Sequence, residues 1–413
     1  MNQNVRNYGW TVALSGTGIN LALGVLYTWS VISKAIPQEW GWNEAQRALP
    51  YSIACIVFAL VMVVAGRMQD KIGPRKVATM GGVLTGLGFL LASASTSLTV
   101  FVLGFGLLAG AGIGFGYASA TPPAVKWFPR ERTGLIAGIV VAGFGLASVY
   151  AAPLARYLIA AFGVQVAMRI FGIAFLLVVV VLAQFLRNPP KEYVPASSAS
   201  MVHRGIPAAP VHEYDWLSMM RTPQFYLLWF MFACGAGAGL MIIGKLAKIV
   251  ELQSGSTAGF VLVALLAVGN AGGRVIAGVL SDRIGRTATM LIVFAVQAVL
   301  MFTLRLQDQL AMLVAYSMVV GFNYGACLSL FPSATKDYYG LKNFGVNYGL
   351  VFTAWGVGGL VLPIVSGRIF DATGSFNQAY VIAGFVMLVA AALTFVTKAP
   401  HEEQLVAPGL KAA

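Results

Sequence analysis

Charge is what this chain has least of. Only 10% of its 413 residues are Asp, Glu, Lys or Arg, whereas 58% are hydrophobic, and the mean hydropathy is +0.80. A soluble domain carries roughly a quarter of its residues as charges, so that class is excluded. Cysteine is almost absent: Cys55, Cys234 and Cys327 form no CxxC pair and each falls inside an apolar run. A zinc cluster or redox pair is therefore excluded, and inert packing is the expected role. The three histidines, His203, His212 and His401, lie in polar segments with no metal-ligand spacing between them. No nucleophile, base or metal-ligand constellation is visible within the apolar runs, so neither an enzyme nor a bound cofactor or metal is expected. The stretch 110-GAGIGFG-116 shares letters with a nucleotide loop, but it lies inside an apolar run with no preceding strand and reads as close helix packing. Without a P-loop, ATP-driven transport is disfavoured.

Long apolar runs are what the chain has in abundance. Segments such as 174-AFLLVVVVLAQFL-186 and 381-VIAGFVMLVAAALTFV-396 recur between short polar breaks, and about 20 residues of helix cross a bilayer core. Twelve spans are expected, near 9–33, 44–66, 76–97, 99–125, 133–158, 163–186, 224–248, 255–281, 287–305, 309–334, 344–369 and 376–397. Runs this long and uniform exclude alternating barrel strands, so the predicted fold is an all-α integral membrane bundle. The opening MNQNVRNYGW leads into a long apolar run without an Ala-x-Ala-type cleavage site and reads as the start of the first span. The net charge of +13 does not point to nucleic acid, because 18 of the 27 Lys and Arg fall in the N-terminus, the even-numbered connections and the C-terminus. By the positive-inside rule both termini are expected in the cytoplasm.

The stretch 188-NPPKEYVPASSASMVHRGIPAAPVHEYDW-216 is rich in Pro, Ser, Ala and charge and reads as a linker. It divides the chain into a six-span bundle over 1–187, a cytoplasmic linker over 188–222, and a second six-span bundle with a short tail over 223–413. The halves repeat: 66-GRMQDKIGPRK-76 follows span two and 278-GVLSDRIGR-286 follows span eight, sharing G-x-x-x-D-[KR]-I-G at a separation of 212 residues. Gly66 and Gly278 would let helices approach, Asp70 and Asp282 would accept from a neighbouring helix end, and Gly73 and Gly285 would permit a tight turn beside Arg75. Six spans followed by six similar ones in the same orientation is the parallel repeat of a transporter whose halves rock about a central site. In these loops the sequence resembles the major facilitator superfamily, along essentially its whole length. A finer match, 127-WFPRERTGLIAGIVVAGFG-145, is similar to the oxalate:formate antiporter group and its relatives the monocarboxylate transporters, and 8-YGW-10 resembles the acidic-Gly-aromatic opening of the latter with Tyr8 in place of the acid. The resemblance implies two pseudo-symmetric six-helix bundles in a bacterial inner membrane, with a small carboxylate as substrate and protons as the coupling ion; a monomer embedded in lipid is expected.

One cation interrupts this pattern. Arg274 sits within 265-LLAVGNAGGRVIAGVLSDRIGR-286, nine residues before Arg283, which places it about 13 Å deep. An unpaired charge there costs at least about 2.5–3.5 kcal/mol, and each of the 14 acids falls in a loop, a tail or near a helix end. A substrate carboxylate is the expected partner, held by the planar guanidinium fork. Asn270, one turn away on the same face, would fix that side chain or bond the substrate. The resemblance supplies a contrast here: the monocarboxylate transporters carry an aspartate, implicated in proton coupling, where this chain has Asn270. In 347-NYGLVFTAWGVGG-359, likewise, oxalate:formate antiporters carry a lysine where this chain has Trp355. One arginine with an aromatic wall suits a monocarboxylate better than oxalate. Tyr27, Leu26, Tyr117, Tyr324, Phe352 and Trp355 are the expected lining. The expected function is secondary transport of small monocarboxylates such as L-lactate, by proton symport or, alternatively, by carboxylate exchange.

Overall fold

In the computed structural model, the described residues are 7–42, 44–129, 132–190, 193, 213–256 and 259–400. The three histidines lie outside them. Among the described residues, ten helices are long and apolar enough to span a bilayer. One of those is Thr133–Ala183, whose 51 residues are too long for a single crossing and which breaks at Gly163, φ 79° and ψ 170°. Its two arms are helices α5 (133–162) and α6 (164–183). The shorter apolar helix Asn377–Leu393 is α12. Helix α1 runs from Gly9–Leu23 through a 3₁₀ stretch, Gly24–Thr28, into Trp29–Lys34. The others are α2 (Glu44–Ile72) and α3 (Pro74–Ser93), then α4, which joins Leu98–Phe101, a π-helical Val102–Ala109 and Gly110–Lys126. In the second half come α7 (Pro223–Ser254), α8 (Gly259–Ile284), α9 (Arg286–Leu304), α10 (Leu310–Tyr339) and α11 (Phe344–Thr373).

The repeated motif requires a correction to the expected boundaries. Its first residues are helical rather than in a loop: α2 continues past Gly66 to Ile72 and α8 past Gly278 to Ile284. The physical reason is the shortness of the turn. A single glycine makes each connection, Gly73 with φ 90° and Gly285 with φ 95°, conformations that cost a side-chain-bearing residue energy. Pro74 then takes the first position of α3, where its missing N–H is no loss, and Arg75 is exposed beside it.

The two bundles meet through α2 against α11 and α5 against α8. Small residues set these contacts, as lipid-embedded packing requires. A Cβ placed on Gly66 would lie 2.1 Å from the Gly345 carbonyl oxygen, and one on Gly278 would lie 2.3 Å from that of Gly134. The carboxylates of the motif cap the opposite half. Asp70 accepts from the Gly345 and Val346 amides at 3.2 and 3.0 Å, and Asp282 from the Gly134 and Leu135 amides at 2.9 and 3.0 Å. Each satisfies free N–H groups at a helix N-terminus, where the helix dipole also favours negative charge. Asp282 is further engaged by Arg286 at 2.6 Å, whose Nε donates to Asp337 at 2.8 Å. Lys336 of α10 donates to the Thr133 hydroxyl at the start of α5. The motif end of the molecule is thus closed between the halves.

Candidate functional site

Midway along the α5–α8 seam lies Arg274, completely buried. Two glycines of α5 admit it. Gly138 brings the helices together, since a Cβ there would lie 2.3 Å from the Arg274 carbonyl oxygen, and one on Gly145 would come within 3.3 Å of Arg274 Nε. With that flank open, Nη1 donates across the seam to the main-chain carbonyl of Val141. Within α8, Nε donates to Asn270 Oδ1 at 2.9 Å, so Asn270 orients the guanidinium one turn away. The third nitrogen, Nη2, is buried with no hydrogen bond. Among the described residues the ion pairs lie at the motif end, on Asp282 and Asp337, and none reaches Arg274. A buried guanidinium with one empty donor position and no counter-charge has the chemistry to accept an anion.

Aromatic side chains from both halves close around it. Tyr27, from the 3₁₀ part of α1, meets Tyr324 of α10, hydroxyl to hydroxyl, at 3.0 Å. Trp355 of α11 donates its indole N–H to the Tyr324 oxygen at 2.8 Å. The indole also stacks on Phe352, ring centroids 5.3 Å apart and 19° between planes. Tyr117 of α4 stands edge-on to Phe58 and Phe144, both at 5.4 Å. Phe352 touches Phe58 at 5.3 Å and Tyr117 at 5.5 Å, joining α2, α4 and α11. The hydroxyls of Tyr27, Tyr117, Tyr324 and Tyr348 all lie within the electrostatic reach of Arg274. Leu26 precedes Tyr27 and is fully buried in the apolar packing.

Arg274, Asn270, Tyr27, Tyr117, Tyr324, Phe352 and Trp355 are therefore brought to one place. The motif residues Gly66, Asp70, Gly73, Arg75, Gly278, Asp282 and Gly285 form a separate layer at one end. Sequence reasoning missed Val141, Gly145, Phe58, Phe144 and Tyr348. Tyr348 had a readable signal, because Tyr348, Phe352 and Trp355 are spaced four and three apart and so share a helix face. Val141 had none, since it contributes only its main chain. The three cysteines carry free thiols, Cys234 and Cys327 buried and Cys55 partly so.

Comparison with known proteins bears on what this site serves. The profile of the Major Facilitator Superfamily matches residues 12–249 and 239–411. An uncharacterized MFS-type transporter of Escherichia coli, YhjX, is 30% identical over 362 residues, covering 86% of this chain and 87% of that protein. The oxalate:formate antiporter of Oxalobacter formigenes is 28% identical, covering 90% of this chain and 87% of its own. Monocarboxylate transporter 13 of Bos taurus is also 28% identical, covering 92% and 87%. Among solved structures, the fucose:proton symporter FucP of Escherichia coli superposes with a TM-score of 0.69 at 15% identity, over 95% of this chain and all of that one. That likeness is one of fold.

Proposed function

The chain belongs to the Major Facilitator Superfamily of transporters, and from that premise we propose that it is a secondary active transporter of small monocarboxylates, L-lactate or pyruvate-like, moved with protons by alternating access. It is a multi-pass membrane transporter and not an enzyme. The observation that carries the substrate reading is Arg274: fully buried at the seam between halves, without a counter-charge, and with one nitrogen unpaired. A carboxylate supplies the missing charge and the missing acceptor together. The aromatic surroundings favour one carboxylate with a short apolar tail. Trp355, where oxalate:formate antiporters have lysine, offers a second carboxylate no partner.

In this reading the bundles are residues 1–187 and 223–413, joined by a linker over 188–222, and the protein works as a monomer in a bacterial inner membrane. Both termini and the motif end face the cytoplasm, so the capped contacts of Asp70 and Asp282 form the cytoplasmic seal. Uptake of labelled mono- and dicarboxylates into proteoliposomes, with and without an inward proton gradient, tests the proposal. Monocarboxylate uptake that rises as external pH falls is the expected result.

A second reading, carboxylate exchange, is favoured by one specific feature. Among the described residues no carboxylate shares the depth of Arg274, and the position four residues before it is the uncharged Asn270. With no acid there to carry a proton, one anion exchanged for another needs no proton carrier at all. Uptake indifferent to the pH gradient but dependent on internal carboxylate establishes this second reading.

A further inference from the structure

The polar groups around Arg274 divide into those already paired and those left open. Tyr27, Tyr324 and Trp355 are joined in a chain across the two halves, at 3.0 and 2.8 Å, two bonds that engage every member and leave one of the two hydroxyl protons over. Three further groups make no hydrogen bond at all: Arg274 Nη2, the Tyr117 hydroxyl and the Tyr348 hydroxyl, each buried. A native protein leaves few such groups open, and each costs free energy unless something pairs it. These three are neighbours. The rings of Tyr117 and Tyr348 flank the same Phe352 ring at 5.5 and 5.7 Å. Their hydroxyls approach one another and both feel the Arg274 charge, but they make no hydrogen bond of normal geometry. The acceptors beside the guanidinium, Asn270 Oδ1 and the Val141 carbonyl, are already taken by Nε and Nη1.

Resting on the monocarboxylate reading above, we infer that the substrate carboxylate is clamped by Arg274 Nη2 together with the hydroxyls of Tyr117 and Tyr348, and that Tyr348 is a substrate-binding residue. A carboxylate presents about four lone-pair positions on two oxygens, enough for three donors, and is itself acceptor-only when ionised. A cationic ligand is instead repelled by the Arg274 guanidinium. The clamp spans the molecule, with Tyr117 on α4 of one half and Arg274 and Tyr348 on α8 and α11 of the other. In this arrangement Tyr27, Tyr324 and Trp355 stay joined to each other and act as a roof over the clamp. On this division Tyr324 and Trp355 line the site beside the clamp.

Thermal unfolding and equilibrium binding of L-lactate to the purified full chain test the inference, using Arg274→Lys, Tyr117→Phe, Tyr348→Phe and Tyr324→Phe. Removing a hydroxyl that bonds a charged group weakens binding by about tenfold or more, so that is the expected change in Kd for Tyr117→Phe and Tyr348→Phe. Because those hydroxyls are unpaired in the empty protein, the unliganded Tm stays level or rises, while the lactate-induced rise in Tm shrinks. Tyr324→Phe shows the opposite pattern, a lower unliganded Tm with Kd changed less than about threefold, since it breaks existing bonds and no bond to substrate. Lactate affinity in Tyr348→Phe equal to that of the wild type, or an unliganded Tm lowered as far as in Tyr324→Phe, overturns the clamp. If Arg274→Lys abolishes binding in the same series, the monocarboxylate reading survives that failure. A wild type that binds neither L-lactate, pyruvate nor acetate overturns the reading and the clamp with it.

Discussion

Three neighbouring glycines of α8 meet three different surroundings, and substituting each by alanine separates the forces at the seam. A Cβ on Gly272 meets nothing within 4 Å; one on Gly273 would lie 1.9 Å from the Phe322 carbonyl oxygen, inside the same half; one on Gly278 would lie 2.3 Å from the Gly134 carbonyl oxygen, in the other half. Gly272→Ala therefore gains helix propensity, up to about 0.8–1 kcal/mol, at no steric cost. Gly273→Ala drives α8 from α10, and overpacking of this kind costs about 1–3 kcal/mol or more. No rocking of the halves relieves that clash, so it lowers stability in every state of the cycle. Gly278→Ala differs because opening the motif end removes the clash. The same penalty of about 1–3 kcal/mol then falls only on the closed state, shifting the closed-to-open ratio by roughly tenfold to a hundredfold. Spin labels on exposed residues of each half, at Arg75 and Ala288, report that ratio as a distance distribution once Cys55, Cys234 and Cys327 are replaced by alanine. The longer distance should gain population in Gly278→Ala alone, and Tm should fall most in Gly273→Ala. A Gly278→Ala distribution matching the wild type, or an equal shift in Gly272→Ala, refutes the argument that backbone contact at the motif end sets the equilibrium.

Arg274→Ala and Arg274→Lys should both lose most substrate binding, since lysine keeps the charge but not the planar fork that reaches Asn270, Val141 and the substrate together; near-normal affinity in folded Arg274→Ala would remove it as the anchor. Asp282→Asn should destabilise the unliganded protein more than Asp70→Asn, because Asp282 holds two amides and the Arg286 guanidinium whereas Asp70 caps two amides. The losses should be about 1.5–3 kcal/mol for hydrogen bonds to a charged group, and the reverse order in thermal unfolding would sink this account. Trp355→Lys should raise the ratio of oxalate to lactate binding at fixed salt, by offering the second carboxylate a partner in a site of low dielectric; an unmoved ratio means that position 355 does not set the choice.

Helix number, length and repeat were legible in the sequence because each follows from local chemistry: a run of about 20 apolar residues has one way to cross lipid with its backbone satisfied. Arg274 was legible for the same reason, as a charge too costly to tolerate without purpose. Its partner Asn270 sits four residues away on one helix and needed only helical periodicity. The limits of the motif helices were less legible, because a single positive-φ glycine suffices as a connection and the apolar pattern ends before the helix does. What joined residues distant in the chain was not legible at all. The contact of Tyr27 with Tyr324 spans 297 residues, and the acceptor for Arg274 Nη1 is a carbonyl 133 residues away.

That difference in legibility has a physical origin. Composition and periodicity report the cost of placing a group in lipid, a property of the residue itself. Whether a buried tyrosine is free to bind a ligand depends on whether its hydroxyl is already spent, and that is a property of pairs. Tyr27, Tyr117, Tyr324 and Tyr348 are chemically identical, buried or nearly so, and all within reach of one cation; only the partners sort them. Trp355 closes the donor chain on Tyr324, and Tyr27 shares that oxygen. Tyr117 and Tyr348, one from each half, are left facing each other beside the open nitrogen of Arg274. On the proposed clamp, an anion arriving there gains three donors at once and draws together groups that belong to both bundles, which would deliver the energy of binding at the seam between the halves.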